Sequence, residues 1–153
     1  HAYVRRQRQM CIRDRASIIL SSICLGLGLI APLIDFNESH ATNPLWTGHS
    51  RFHLVWQVNA LAVTGFFVLF LLWIIPSQIN ILISIVLLYI WLLSFVFALL
   101  FMPLYDGKLN DVNGVPPIEI DFFGKEIKID RNVQAISAGL FACTYALLLV
   151  LFN

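Results

Sequence analysis

Charge is what this sequence has least of. From Phe52 to Tyr105 there is no Asp, Glu, Lys or Arg, and the same holds from Ala16 to Ile34 and from Val133 to Asn153. Charged residues make up 12% of the chain and hydrophobic ones 59%, whereas soluble domains carry about 25% charged residues. A water-soluble fold of this length would lack the polar surface to cover itself. The ten Lys/Arg and nine Asp/Glu nearly cancel, so net charge points to neither a nucleic-acid partner nor an acidic substrate.

Other absences narrow the chemistry. Three cysteines do not build a disulfide framework, and no Cys-x-x-Cys pair occurs, so heme attachment through Cys-x-x-Cys-His is unsupported. Cys24 and Cys143 fall within uncharged runs, where a thiol behaves as a small hydrophobe. There is no Gly-rich phosphate loop, no internal repeat and no low-complexity tract. No carboxylate lies within an uncharged run, which argues against a proton-driven pump. Membrane di-iron hydroxylases and desaturases need several histidine boxes, and these too are missing.

What is present is apolar length. Roughly 20 residues at about 1.5 Å rise cross a hydrocarbon core of about 30 Å, and helices satisfy their own backbone groups there. The chain therefore reads as an all-α membrane protein, a bundle of four transmembrane helices. The expected spans are about 16–34, 52–75, 80–104 and 133–152, the long middle run being divided at Pro76-Ser77-Gln78-Ile79-Asn80. The first run exceeds the 7–15 residues usual for a signal-peptide core. Small residues four apart, Ser22 and Gly26 on the first span and Ala135, Gly139 and Cys143 on the last, suit close helix packing and allow self-association into a homo-oligomer.

Residues 1–15 form a basic segment set apart from the membrane domain 16–153. Its Gln9-Met10-Cys11-Ile12-Arg13-Asp14-Arg15 run resembles translated sequencing-adapter read-through, and its other reading is a native basic tail anchoring the first helix. Without it, five basic residues face eight acidic ones, and every charge lies in loops 35–51 and 106–131. With four spans those two loops share one side. Native N-terminal arginines would hold that side outside the cytoplasm, with the bacterial cytoplasmic membrane as the expected location.

The longer loop contains the turn dipeptides Asp106-Gly107 and Asn113-Gly114, then Pro116-Pro117. After them Ile118, Ile120, Ile127 and Ile129 alternate with charged residues around Phe123-Gly124. That pattern predicts a small β-hairpin between helices 3 and 4, with Ile120 opposite Ile127 and Glu119 opposite Lys128. Its isoleucine face is expected to lie on the bundle as a lid.

The least generic stretch runs from Asn43 to Gln57. Three of the four histidines, His40, His49 and His53, fall close together, preceded by Asp35 and Glu38. If Thr47 caps the second helix, His49, His53 and Gln57 share one face, with Trp56, Ala60 and Thr64 near it and Arg51 opposite. Polar side chains at that depth usually face a bundle interior, so this stripe is expected to floor a polar vestibule under the loops, with Gln134 as a neighbour. Three readings stand side by side. A metal ion can be shared by His49 and His53, with His40 and Glu38 as further ligands. An acid-base or ligand-binding site can use His53 as proton carrier, imidazole being the side chain that changes charge between roughly pH 5 and 8. The third reading is structural, with histidine and tryptophan anchoring a helix end at the interface, and it accounts for these residue types without any reaction.

The Asn43-Pro44-x-Trp46-x-x-His49-x-Arg51-Phe52-His53 motif resembles a signature of small four-helix membrane proteins, broadly similar to DoxX-like proteins in layout. The resemblance implies a four-helix bundle with His49, Arg51 and His53 as site residues, and it implies no particular reaction. Two functions follow. One is a non-enzymatic membrane protein binding a lipid-like molecule or partner through His49, Arg51, His53, Trp56 and Gln57. The other is a small membrane enzyme that uses the histidine cluster, with or without a metal.

Overall fold

Four helices long and apolar enough to cross a bilayer dominate the structure, a computed structural model describing residues 2–109 and 116–152. The candidate spans are Gln9–Asp35, Gly48–Trp73, Gln78–Leu104 and Arg131–Phe152. The turn expected at Asn113-Gly114 lies outside the described residues.

The first span begins earlier than expected because α1 (Ala2–Leu25) runs through Ala16 without a break. Nothing before Gly26 interrupts it: the segment has neither Gly nor Pro, the two strongest helix breakers. A wide π turn follows at Gly26–Ile30, where the Ala31 N–H donates to the Gly26 carbonyl, and α2 (Ala31–Asp35) completes the span. Two glycines loosen the ladder here, and Pro32 brings no N–H to it. The charge-free run by itself predicts uninterrupted α-helix here, and the π turn departs from it. Hydroxyl caps start the next two spans: Thr47 accepts from the Ser50 N–H ahead of α3 (Gly48–Trp73), and Ser77 accepts from Asn80 ahead of α4 (Gln78–Phe101). The last span is α5 (Arg131–Phe152), whose first turn is held by Asp130 Oδ1 accepting from the Asn132 and Val133 N–H groups.

The core joins Leu20 and Cys24 of α1 to Val68 and Leu72 of α3, Ile85, Leu88 and Leu92 of α4, and Cys143 of α5. The buried thiols fill space, as expected. The tightest helix approach involves glycines that the small-residue pattern missed. A Cβ on Gly65 would stand 3.2 Å from the Cys24 carbonyl oxygen and 3.3 Å from Gly28 Cα. Gly139 does pack closely, against Leu92. Ser22 is exposed and a Cβ on Gly26 would meet open space, so that pair does not mark a close helix crossing.

Between α4 and α5, β1 (Ile118–Phe122) and β2 (Lys125–Ile129) form an antiparallel hairpin with Ile118 facing Ile129, Glu119 facing Lys128 and Ile120 facing Ile127. This is the register the alternation predicted. Lys128 Nζ donates to Glu119 Oε1 at 2.9 Å, and that bond raises the lysine pKa above its ordinary value. Asp121, opposed to Glu126, is occupied by accepting from the Gly124 N–H in the turn. The lid expectation fails, because Ile120 and Ile127 each remain 43% exposed. One residue, Asp130, separates β2 from the capped start of α5, so the hairpin base has little slack to fold back over the helices.

Candidate functional site

The site is built on a short folded loop. Asn43 is 1% exposed: its amide donates to the Ser39 carbonyl at 3.0 Å and its Oδ1 accepts from the Leu45 N–H at 2.9 Å. With the Ala41 N–H bonded to the Asp35 carbonyl, these contacts fold the chain from the end of α2 to the Thr47 cap. His40 belongs to this loop. Its Nδ1 meets Ser39 Oγ at 2.6 Å, its ring stands edge-on to Trp46 at 5.7 Å, and it lies in electrostatic range of the Asp35 carboxylate.

His49 and His53 do meet. Their Nε2 atoms are 3.0 Å apart and their rings 4.4 Å apart, nearly perpendicular, one turn apart on α3. A hydrogen bond between two imidazole nitrogens needs one N–H and one lone pair. One ring therefore donates and the other accepts. Trp56 stands 6.0 Å from His53, and Phe52 lies 5.9 Å from it.

The helix is turned the other way from expectation. His49, His53, Trp56 and Gln57 are all exposed, while Val58, Gly65, Val68 and Leu72 face the core and Arg51 is half-buried beside them. Helical periodicity separated Arg51 from the histidines correctly, but the stripe does not floor a vestibule inside the bundle. The physical reason is the Gly28–Gly65 approach, which dictates the side of α3 that meets α1 and leaves the bulky aromatic side outside. Gln134 is likewise exposed and joins none of these residues. Among the described residues no group of three or more His, Cys, Asp or Glu side chains can hold a metal ion. The expected set of His40, His49, His53 and Glu38 thus does not assemble, because the loop holds His40 against Ser39 and Trp46.

A second feature was not anticipated as a site. A crevice of about 490 Å³ opens between the first span, α4 and α5 on the loop side of the bundle. Gly26, Ile30, Phe95, Ala138 and Gly139 are among its walls, and Ser22 and Asn132 are its polar residues. Its sequence signal was present: the small residues Ser22, Gly26, Ala135 and Gly139 line it, and spacing alone cannot tell a stripe that packs from one that leaves room. Another cavity, of about 450 Å³, involves Gln9, Met10, Ile12 and Arg13 at the opposite end, in the basic N-terminal segment. No family model, no curated protein and no solved structure matches this chain.

Proposed function

We propose that this chain is an integral membrane protein that binds a lipid-like molecule in the crevice between the first span, α4 and α5. The observation that carries the reading is the crevice itself. Its volume of about 490 Å³ falls within the range of roughly 300–1,000 Å³ for small-molecule sites, and its walls are mostly apolar. Asn132 lies at its loop-side end, so a polar headgroup would meet its amide. From Asn132 to Ala142 the helix descends about 15 Å, half of a hydrocarbon core of about 30 Å. One chain of a membrane amphiphile fits that depth. The N-terminal arginines favour the cytoplasmic side for the N-terminus and the outer side for the crevice mouth.

The test uses the full chain in nanodiscs with a photoactivatable fatty acid. Cross-links are expected on 22–34 and 132–142, and Gly26→Leu should reduce them several-fold. A Cβ at Gly26 meets no atom within 4 Å, so the added side chain starts in the open space of the crevice. Even labelling of every outward helix face, unaffected by Gly26→Leu, would overturn the reading.

The 3.0 Å bond between His49 and His53 favours a second reading, an acid-base pair at the interface serving a small membrane enzyme. Its support is two imidazoles and a neighbouring Trp56, without a third catalytic group.

A further inference from the structure

The outward face of α3 contains a polar group in a place where lipid cannot satisfy it. Asn59 is exposed near the middle of this 26-residue helix, and its carboxamide has no hydrogen-bond partner among the described residues. No water is available at that depth in a bilayer core, so a side-chain amide there calls for a donor and an acceptor from protein.

The residues around Asn59 follow a heptad. Phe52, Asn59, Phe66 and Trp73 recur every seven positions, and all are exposed. Trp56, Val63 and Phe70 interleave four residues after the first three of them, and these are exposed as well. Spacings of three and four sustained over three heptads are those of a coiled-coil seam, and Asn59, three residues after Trp56 and four before Val63, takes a d-type position on it. The outer face of α4 has a similar spacing through Ile83, Val86, Ile90 and Leu93. Its exposed mid-helix polar residue, Ser94, bonds the Ile90 carbonyl of its own helix, so lipid covers that face adequately. Among the described residues, only the α3 face combines the spacing with an unpaired amide in mid-helix.

We propose that the Phe52–Trp73 face of α3 is a dimer interface with a second copy of this chain, and that the two Asn59 carboxamides pair across it. A carboxamide has both donors and an acceptor, so it is complementary to its own copy. Two copies inserted with one topology place their α3 helices parallel, and a twofold axis along the membrane normal then sets each seam residue, Asn59 included, against its counterpart. This inference rests on the four-span membrane reading and is independent of what the crevice binds.

Disulfide cross-linking of the full chain in liposomes tests it, in a Cys11→Ser background that leaves only the buried Cys24 and Cys143. Phe66→Cys on the seam should form dimers readily, and Val86→Cys on the α4 face several-fold less. Adding Asn59→Leu to Phe66→Cys should lower the dimer yield about tenfold, while Asn59→Gln, which keeps the amide, should retain most of it. Equal yields from positions 66 and 86, or a Phe66→Cys yield unchanged by Asn59→Leu, would overturn the proposal. The comparison of 66 with 86 stands even if a substitution at 59 disturbs insertion.

Discussion

Two glycines, Gly65 and Gly26, have opposite structural roles. Gly65 sits where α3 passes the first span, and the space its missing side chain leaves is already taken by the Cys24 carbonyl and Gly28 Cα. Gly26 faces open space in the crevice wall. Gly65→Ala should therefore push two backbones apart and lower stability by about 1–3 kcal/mol, whereas Gly26→Ala should be neutral or slightly stabilising. Thermal unfolding of the two variants side by side checks this, and equal effects would mean that the crossing is not set by Gly65. Asn43 shows the same logic in the loop: burial obliges its amide to find partners, and the partners it finds fold the chain ahead of α3.

At the scale of the element, the hairpin departs from local rules at one point. Phe123 and Gly124 both have positive φ, 54° and 76°, the conformation of a two-residue turn that favours Asn-Gly. A phenylalanine in the left-handed region is strained by about 1 kcal/mol, and here its ring is 93% exposed, with no burial to offset the strain. Phe123→Asn should stabilise the hairpin by about that amount, seen as stronger cross-strand contacts between Ile118 and Ile129 by NMR. The Lys128–Glu119 pair makes a second prediction. The lysine pKa is raised in the folded hairpin, so its contribution is fully present below the ordinary value of 10.5 and is lost as pH rises through the higher folded value. Both groups are exposed, so the effect is small. Cross-strand contacts should weaken in that alkaline window in the native chain, and a Glu119→Gln variant should lack this step.

For the whole molecule, the proposed membrane reading obliges the loop ahead of α3 and the hairpin to share one face of the bilayer, since four helices long and apolar enough to span it separate the termini. Leu45 is 83% exposed in the loop and Phe123 is the hairpin tip, so cysteines at both positions should react with an impermeant thiol reagent from one side of sealed vesicles. Labelling from opposite sides would sink the four-span arrangement.

Much of this was legible in the sequence, for identifiable reasons. Charge-free runs set the number of helices, because apolar stretches of that length satisfy their own backbone groups most simply as helices; Thr47 marked a helix start through its hydroxyl; and strict alternation around Phe123-Gly124 specified the hairpin register, since a one-residue slip would exchange its two faces. Tertiary structure decided the rest. In a chain apolar on every side, hydrophobicity no longer distinguishes inside from outside, and rotation of each helix depends on where backbones can approach. Gly28 and Gly65 make that choice for α3, turning Arg51 inward and His49, His53 and Asn59 outward. The crevice arises in the same way: Ser22, Gly26, Ala135 and Gly139 are small in sequence, but only the packed helices determine which small residue meets a neighbour and which leaves space.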